Sequence, residues 1–177
     1  DTLAALRIAR EHGVKVAGLC NVVGSSIARE ADAVIYTQAG PEISVASTKA
    51  MCSQMVLLTL MALHWGHRNG HLTEQVRVNA LEALRKLPGQ LESALPSMRD
   101  QAQQLARTYS KVRSFFYLGR GHCFPLALEG ALKLKEISYI HAEGYASGEM
   151  KHGPIALVTD TFPVICVAVK GDTYDKM

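Results

Sequence analysis

The chain has 177 residues, of which 48% are hydrophobic and 20% charged. This composition is typical of a globular protein with an ordinary hydrophobic core. The net charge of +3 comes from 19 basic and 16 acidic residues that form no block of like charge. We therefore expect no nucleic-acid partner and no membrane surface bound by bulk charge. The most apolar run, residues 55–63, is far shorter than the roughly 20 residues of a membrane span; we interpret it as part of a buried helix.

The spacing of the cysteines and the N-terminal sequence predict where in the cell the protein is located. The four cysteines are widely spaced, with no CxxC pair, and no signal-peptide pattern is present. We therefore expect free thiols and a cytoplasmic location. The chain begins with Asp1 and ends in a segment that resembles the start of a helix. We expect it to be a piece of a longer protein.

The first part of the chain alternates helices and strands. Residues 2–12 have helical spacing, 14–20 form a short apolar strand, a short helix follows within 21–31, and 33–37 form a second strand. A long helix is predicted from Ser47 or Thr48 to about His64. Short loops between alternating elements predict a doubly wound α/β fold with a parallel sheet.

Helices then separate this part from a second α/β pattern. Two amphipathic helices, 73–87 and 96–109, are predicted, with the segment "LPGQ" between them. The second pattern follows: a strand at 114–118, a helix at 125–139, a short helix at 147–151 and a buried apolar strand within 162–170. The predicted organisation is an α/β part at 1–70, a helical connection at 71–110 and a second α/β part at 111–177.

Two glycine-containing turns precede predicted helices. The turn "GRGHCF" has Phe124 where a dinucleotide fingerprint needs glycine, so we expect no nicotinamide or flavin cofactor. This turn, like "VVGSS", could serve as a structural turn or contact an anionic or polyhydroxyl ligand. The loop "PEISVAST" holds Ser44, Ser47 and Thr48 beside a carboxylate, which could either bind a ligand or cap the next helix.

Three histidines, His64, His67 and His71, have spacings that would share one face of an unbroken helix. Gly66 and Gly70 make such a helix doubtful, and no cysteine or carboxylate joins the set. We interpret the histidines as a solvated helix end and predict no metal site.

The helix predicted from Pro125 carries charges on an otherwise apolar surface. Glu129, Lys133 and Glu136 stand at i, i+4 and i+7 and share one face. They could form a solvated stripe or line a cleft, and His152 follows in the turn "KHGP". A carboxylate, an amine and an imidazole in one cleft suit proton transfer next to a carbonyl group. A partly desolvated glutamate beside a lysine can be tuned toward neutral pH as a base.

The segments "CNVVGSS", "EISVASTKA" and 118–154, with "ALEGALKLKEISYIHAE" and "KHGP", closely resemble the isomerase half of the glutamine–fructose-6-phosphate aminotransferases, the glucosamine-6-phosphate synthases. The resemblance covers nearly the whole chain. It implies two sugar isomerase (SIS) subdomains with flavodoxin-like parallel sheets joined by helices, each expected to be incomplete here.

The resemblance also implies roles for individual residues. Glu136 would be the base that moves a proton between C1 and C2, with Lys133 and Glu129 in support, and Lys133 would assist hydroxyl proton transfer. His152 would open the sugar ring, reaching the site from the neighbouring subunit of a homodimer. The sugar-contacting residues would be Val45 and Ser47.

The implied reaction converts fructose 6-phosphate and ammonia to glucosamine 6-phosphate, with ammonia supplied from glutamine by a separate glutaminase domain and with no metal or other cofactor. The family's phosphate-binding Ser/Thr loop, glutaminase domain and C-terminal lysine tail are absent from this sequence. We therefore expect weak sugar-phosphate binding and no turnover by this chain alone. Two alternatives stay open: another SIS-fold sugar-phosphate isomerase or deglycase, or a non-catalytic module that senses an amino-sugar phosphate.

Overall fold

The computed structural model describes all 177 residues and contains two separate parallel sheets. The chain divides into two units, Asp1–Ala94 and Leu95–Met177. None of the helices combines the length and apolar character that a membrane span requires.

The first unit is built on a two-stranded parallel sheet. Its elements are α1 (Thr2–Glu11), β1 (Ala17–Cys20), α2 (Ser26–Glu30), β2 (Ala33–Tyr36) and α3 (Lys49–Arg68). Strand β1 pairs with β2 from Ala17 opposite Ala33 to Cys20 opposite Tyr36. The predicted alternation of helices and strands and the parallel pairing are confirmed.

Helix α3 differs from its prediction in two ways. It runs to Arg68, past the predicted end near His64, because Gly66 lies within the helix and its missing Cβ makes room for the side chain of Leu72. The apolar run 55–63 was expected to be buried, yet no residue of α3 is buried, and Leu58 and Trp65 are each 53% exposed. No helix or strand of the chain encloses α3 on all sides, so its apolar surface stays accessible.

Helix α4 (Glu74–Thr108) begins in the first unit and ends in the second. The prediction of two helices here is wrong, since one continuous helix of 35 residues passes through Pro88, Gly89 and Pro96. Each proline removes one backbone hydrogen bond at a cost of about 3 kcal/mol. The flanking Leu, Ala, Glu, Arg and Gln residues favour helix on both sides, and the helix continues across these positions.

The second unit contains a three-stranded parallel sheet in the order β4, β3, β5. Its elements are β3 (Ser114–Gly119), α5 (Cys123–Ser138), β4 (His141–Ala146), 3₁₀ helices at Ser147–His152 and Pro154–Leu157, β5 (Val164–Val167) and a last 3₁₀ turn at Tyr174–Lys176. The predicted short helix near 147–151 is confirmed as the first 3₁₀ helix.

Two strands of this sheet depart from the sequence interpretation. Strand β4 was not predicted, because its sequence, "HAEGYA", is rich in residues that strands disfavour. The apolar segment 162–170 was predicted as a buried strand, but β5 covers only four residues, of which Ile165 is 38% exposed and Cys166 is exposed. Strand β5 pairs only with β3, which leaves its other edge without a neighbour.

The core of the second unit lies between α5 and the sheet. Phe115 of β3, Ala142 of β4 and Ala131 of α5 form this core cluster, and Ala127 of α5 is also buried. Phe116, the largest fully buried side chain, packs against Tyr145 with ring centroids 5.1 Å apart. A Cβ on Gly144 of β4 would lie 3.0 Å from the Cα of Leu128. Small residues therefore let α5 approach the sheet closely and hold the orientation of its charged face.

Candidate active site

The charged residues of α5 form a half-buried stripe. Ala127 and Ala131 are 0% and 2% exposed, and the charged side chains lie on another part of the helix surface. The Lys133 side chain is 20% exposed, and those of Glu129 and Glu136 are each 27% exposed. We call Glu129, Lys133 and Glu136 the α5 stripe. Its residues are much less accessible than those of an ordinary solvated helix face.

Lys133 lies between the two carboxylates of the stripe. Its Nζ is 2.5 Å from Oε2 of Glu136 and 3.4 Å from Oε1 of Glu129. The hydrogen bond to Glu136, followed by the weaker influence of Glu129, raises the pKa of Lys133 above its ordinary value. At neutral pH the lysine is therefore a cation that donates to the Glu136 carboxylate. This arrangement offers a base and a proton donor side by side.

His152 has its own partner in the structure. Its Nδ1 lies 2.8 Å from Oε2 of Glu149 within the same 3₁₀ helix, and both side chains are mostly exposed. No hydrogen bond or ion pair joins His152 to the α5 stripe. The structure thus brings three of the predicted catalytic residues together and leaves the imidazole apart from them in this single chain.

The loop "PEISVAST" is organised around Glu42. The Glu42 carboxylate accepts from the backbone N–H of Thr48 at 2.8 Å, from the Thr48 hydroxyl at 3.1 Å and from the Ser47 hydroxyl at 3.3 Å. These bonds, that from the Thr48 backbone first, hold the pKa of Glu42 below its ordinary value. Val45 is 95% exposed at the tip of the loop. The Glu42 carboxylate therefore helps to cap the start of α3. The exposed side chain of Val45 is accessible to a ligand.

The two sugar-contacting candidates, Val45 and Ser47, belong to the first unit. The α5 stripe and His152 belong to the second. Within each unit the residues lie on loops or helices that follow parallel strands, which is where open α/β sheets place ligand-binding groups.

Each of the two glycine-containing turns contains hydrogen bonds of its own. In "GRGHCF" the N–H groups of Cys123 and Phe124 donate to the carbonyls of Arg120 and Gly121, each at 3.1 Å, and Pro125 has no N–H to offer. In "VVGSS" the Ser25 hydroxyl accepts from the N–H of Ala28 at 3.3 Å and caps α2.

Two expectations about the three histidines are wrong, because α3 continues through Gly66 and a carboxylate lies beside His67. Its Nε2 lies 3.4 Å from Oε2 of Glu74, which is also bonded to Arg77. No cluster of three or more metal-ligating side chains occurs in the structure.

Sequence reasoning missed Glu149, and it noted the Glu42 carboxylate without indicating its hydrogen bonds to Ser47 and Thr48. Each stands close in sequence to the residue it orients: Glu42 six positions before Thr48 and Glu149 three before His152. The spacing of Glu149 and His152 was a usable signal, because residues three apart meet on a helix surface. The Glu42 contact depends on how an irregular loop folds back, which no periodic pattern encodes.

The chain is similar to known proteins along nearly its whole length. A model of the SIS domain matches residues 1–64 and 108–177. The chain is 52% identical over 176 residues to a glutamine–fructose-6-phosphate aminotransferase (isomerizing) from Bartonella quintana and 46% identical over 177 residues to one from Methanosarcina mazei. The two alignments include 99% and 100% of this chain, but the chain spans only 29% and 28% of the length of these relatives.

A solved structure has nearly the same fold. The C-terminal domain of glucosamine-fructose-6-phosphate aminotransferase from Francisella tularensis superimposes with a TM-score of 0.94 at 41% identity, over 99% of this chain and 49% of that one. The flavodoxin-like α/β architecture with parallel sheets and the predicted resemblance are therefore confirmed. With its fold and two matched segments, the chain belongs to the SIS domain family.

Proposed function

We propose that this chain is part of the isomerase region of a glucosamine-6-phosphate synthase. The overall reaction would convert fructose 6-phosphate and ammonia to glucosamine 6-phosphate and water. The observation that carries the proposal is the α5 stripe, in which a lysine cation is held between two half-buried carboxylates. Identity to the isomerizing aminotransferases over the whole chain supports the same substrate class.

Glu136 is the proposed base. Once ammonia has condensed with the C2 carbonyl of the open sugar, the carboxylate would remove a proton from C1 and return it to C2 through an enolamine. Its hydrogen bond to Lys133 at 2.5 Å orients the carboxylate. A positioned carboxylate of this kind typically contributes roughly 10²–10⁴-fold to the rate.

Lys133 is the proposed partner in hydroxyl proton transfer. Because its pKa is raised, it carries a proton at neutral pH that it can donate toward a developing oxyanion. Glu129, at 3.4 Å from the same ammonium, holds the lysine from the other side. The roles of base and acid are thereby divided between adjacent side chains on one helix.

His152, Val45 and Ser47 have further proposed roles. His152 would open the sugar ring from the neighbouring subunit of a homodimer, which fits its separation from the stripe within one chain. Val45 and Ser47 would contact the sugar from the exposed loop. A glutaminase domain in the longer protein would supply the ammonia.

The test is the Glu136→Gln substitution in the intact protein that contains this chain. We expect glutamine-dependent formation of glucosamine 6-phosphate to fall roughly 10²–10⁴-fold, with exchange of the C1 proton of fructose 6-phosphate into solvent lost in parallel. Glu92→Gln, at an exposed position of α4, is the matched control and should retain full activity. Undiminished product formation by Glu136→Gln would remove the assigned base.

A further inference from the structure

The pair formed by Glu149 and His152 carries an inference that rests on the proposed function and deepens it. We infer that Glu149 is a positioning residue that sets the tautomer of His152, so that Nε2 is the ring nitrogen that exchanges a proton with the sugar. The bond joins Oε2 of Glu149 to Nδ1 of His152 at 2.8 Å. Nε2 has no partner in the structure.

The local backbone explains why these two side chains meet. Ser147–His152 is a 3₁₀ helix, in which side chains at i and i+3 lie directly above one another. The next residue, Gly153, has a φ of +138°, a conformation that L side chains rarely adopt, and Pro154 starts the following 3₁₀ helix. The turn thus holds the imidazole between Glu149 and a backbone bend that needs glycine.

This contact has a consequence for the proton on the ring. An ionised carboxylate only accepts hydrogen bonds, so in a neutral imidazole the proton must be on Nδ1 and the lone pair on Nε2. The His152 side chain is 71% exposed, so a substrate can reach that lone pair. The same logic, in which a carboxylate on Nδ1 leaves Nε2 to act, operates wherever a histidine serves as an oriented base.

The tautomer matches what opening a cyclic ketose requires. In the proposed step, Nε2 accepts the proton of the C2 hydroxyl, the C2–O5 bond breaks as the C2 carbonyl forms, and the proton on Nε2 passes to O5. The imidazole ring of His152 gains one proton and then loses it, so the step needs no other reactant. The imidazolium formed midway is stabilised by Glu149, whose carboxylate stays bonded to Nδ1–H.

The experiment measures the tautomer directly in this chain. Uniformly ¹⁵N-labelled protein would be studied at about pH 8.5, well above the ordinary histidine pKa of about 6.5, and the two ring nitrogens of His152 distinguished by their ¹⁵N chemical shifts. We expect protonated Nδ1 and unprotonated Nε2 in the native chain. In Glu149→Ala the Nε2 shift should move toward the protonated value, whereas Glu149→Gln, which keeps an acceptor oxygen, should move it less.

The matched control is Glu143→Gln, since Glu143 lies 3.3 Å from a different histidine, His141. This substitution should leave the His152 signals unchanged. A native His152 with its proton on Nε2, or equal tautomer populations in the native chain and Glu149→Ala, would overturn the inference. This readout does not depend on turnover, so it is separable from the Glu136→Gln test: failure of one leaves the other standing.

Discussion

At the scale of single residues, what distinguishes α5 from an ordinary helix surface is how Lys133 is held. A glutamate–lysine pair at i, i+4 on an exposed helix contributes little and is screened by salt. Here the lysine has a carboxylate on each side, and all three side chains are at least 73% covered. On the proposed function the stripe would place a proton donor beside a proton acceptor, so substitutions within it should affect turnover more than folding.

Lys133→Met tests whether the stripe matters for turnover, and a substitution of another lysine on α5 is its control. Removing the Lys133 ammonium should lower the rate of isomerisation in the intact protein roughly 10²–10⁴-fold, because Glu136 loses its orienting donor and the hydroxyl its proton source. Lys135→Met changes a nearby exposed lysine that forms no ion pair and should leave the rate unchanged. Steady-state kinetics of the two variants decide the matter, and equal rates would contradict a special role for Lys133.

Glu42 gives a pH-dependent prediction. Because its pKa in the folded chain lies below the ordinary 4.5, its carboxylate stabilises the fold above that pH, and this contribution is lost as pH falls through the folded-state value. Glu42→Gln should therefore be less stable than the native chain near neutral pH, with a difference that narrows in acid. Urea unfolding at a series of pH values measures it; Glu11→Gln, at an exposed residue without a hydrogen bond, should show no such trend.

At the scale of elements, the start of α5 depends on the absence of a side chain at Gly119. A Cβ at this position would lie 2.2 Å from the carbonyl oxygen of Cys123, which is backbone and cannot rotate away. Gly119→Ala should therefore destabilise the second unit by about 1–3 kcal/mol or more. The measurement is the urea midpoint of unfolding, with an unchanged slope as the sign that only stability moved.

Gly89→Ala is the matched control for Gly119→Ala. Gly89 lies inside α4, and no atom falls within 4 Å of an added Cβ. Alanine favours a helix over glycine by about 1 kcal/mol, so this substitution should raise the midpoint while Gly119→Ala lowers it. A Gly119→Ala chain as stable as Gly89→Ala would show that α5 can start elsewhere.

The elements also show what the sequence could and could not predict. Hydrophobic period, caps and breakers located α1, β1, α2, β2, β3 and α5 and the parallel class of the sheets. Strand β4 was missed because its pairing with β3 and the packing of Ala142 under α5 outweigh poor local propensity. Helix α4 was split because proline was taken as a stop, whereas its long helix-favouring flanks carry the helix through.

The candidate site, like the elements, could be predicted from the sequence only in part. Helical spacing alone placed Glu129, Lys133 and Glu136 on one face, and the structure joins them. Spacing did not indicate which of them bonds most closely, nor that Glu42 folds back onto Thr48, since both depend on side-chain packing in three dimensions. Within this chain His152 is bonded to Glu149 and has no hydrogen bond or ion pair to the stripe.

At the scale of the whole molecule, the candidate groups belong to two units. Most of them are bonded to a neighbour within their own unit. Ser47 donates to Glu42, and Lys133 is bonded to two carboxylates. By formal charge, two carboxylates and one ammonium give the α5 stripe a net charge of −1. A sugar phosphate brings further negative charge, which such a stripe repels when no separate cationic group receives the phosphate.

This balance predicts weak binding of fructose 6-phosphate to the 177-residue chain. Isothermal titration should give a Kd above about 1 mM, equivalent to less than about 4 kcal/mol of binding free energy. Glu129→Gln removes one negative charge without touching the proposed base and should tighten binding, most visibly at low ionic strength. Micromolar affinity in the native chain, or no response to Glu129→Gln, would mean that the phosphate is received elsewhere and that the charge of the stripe does not limit binding.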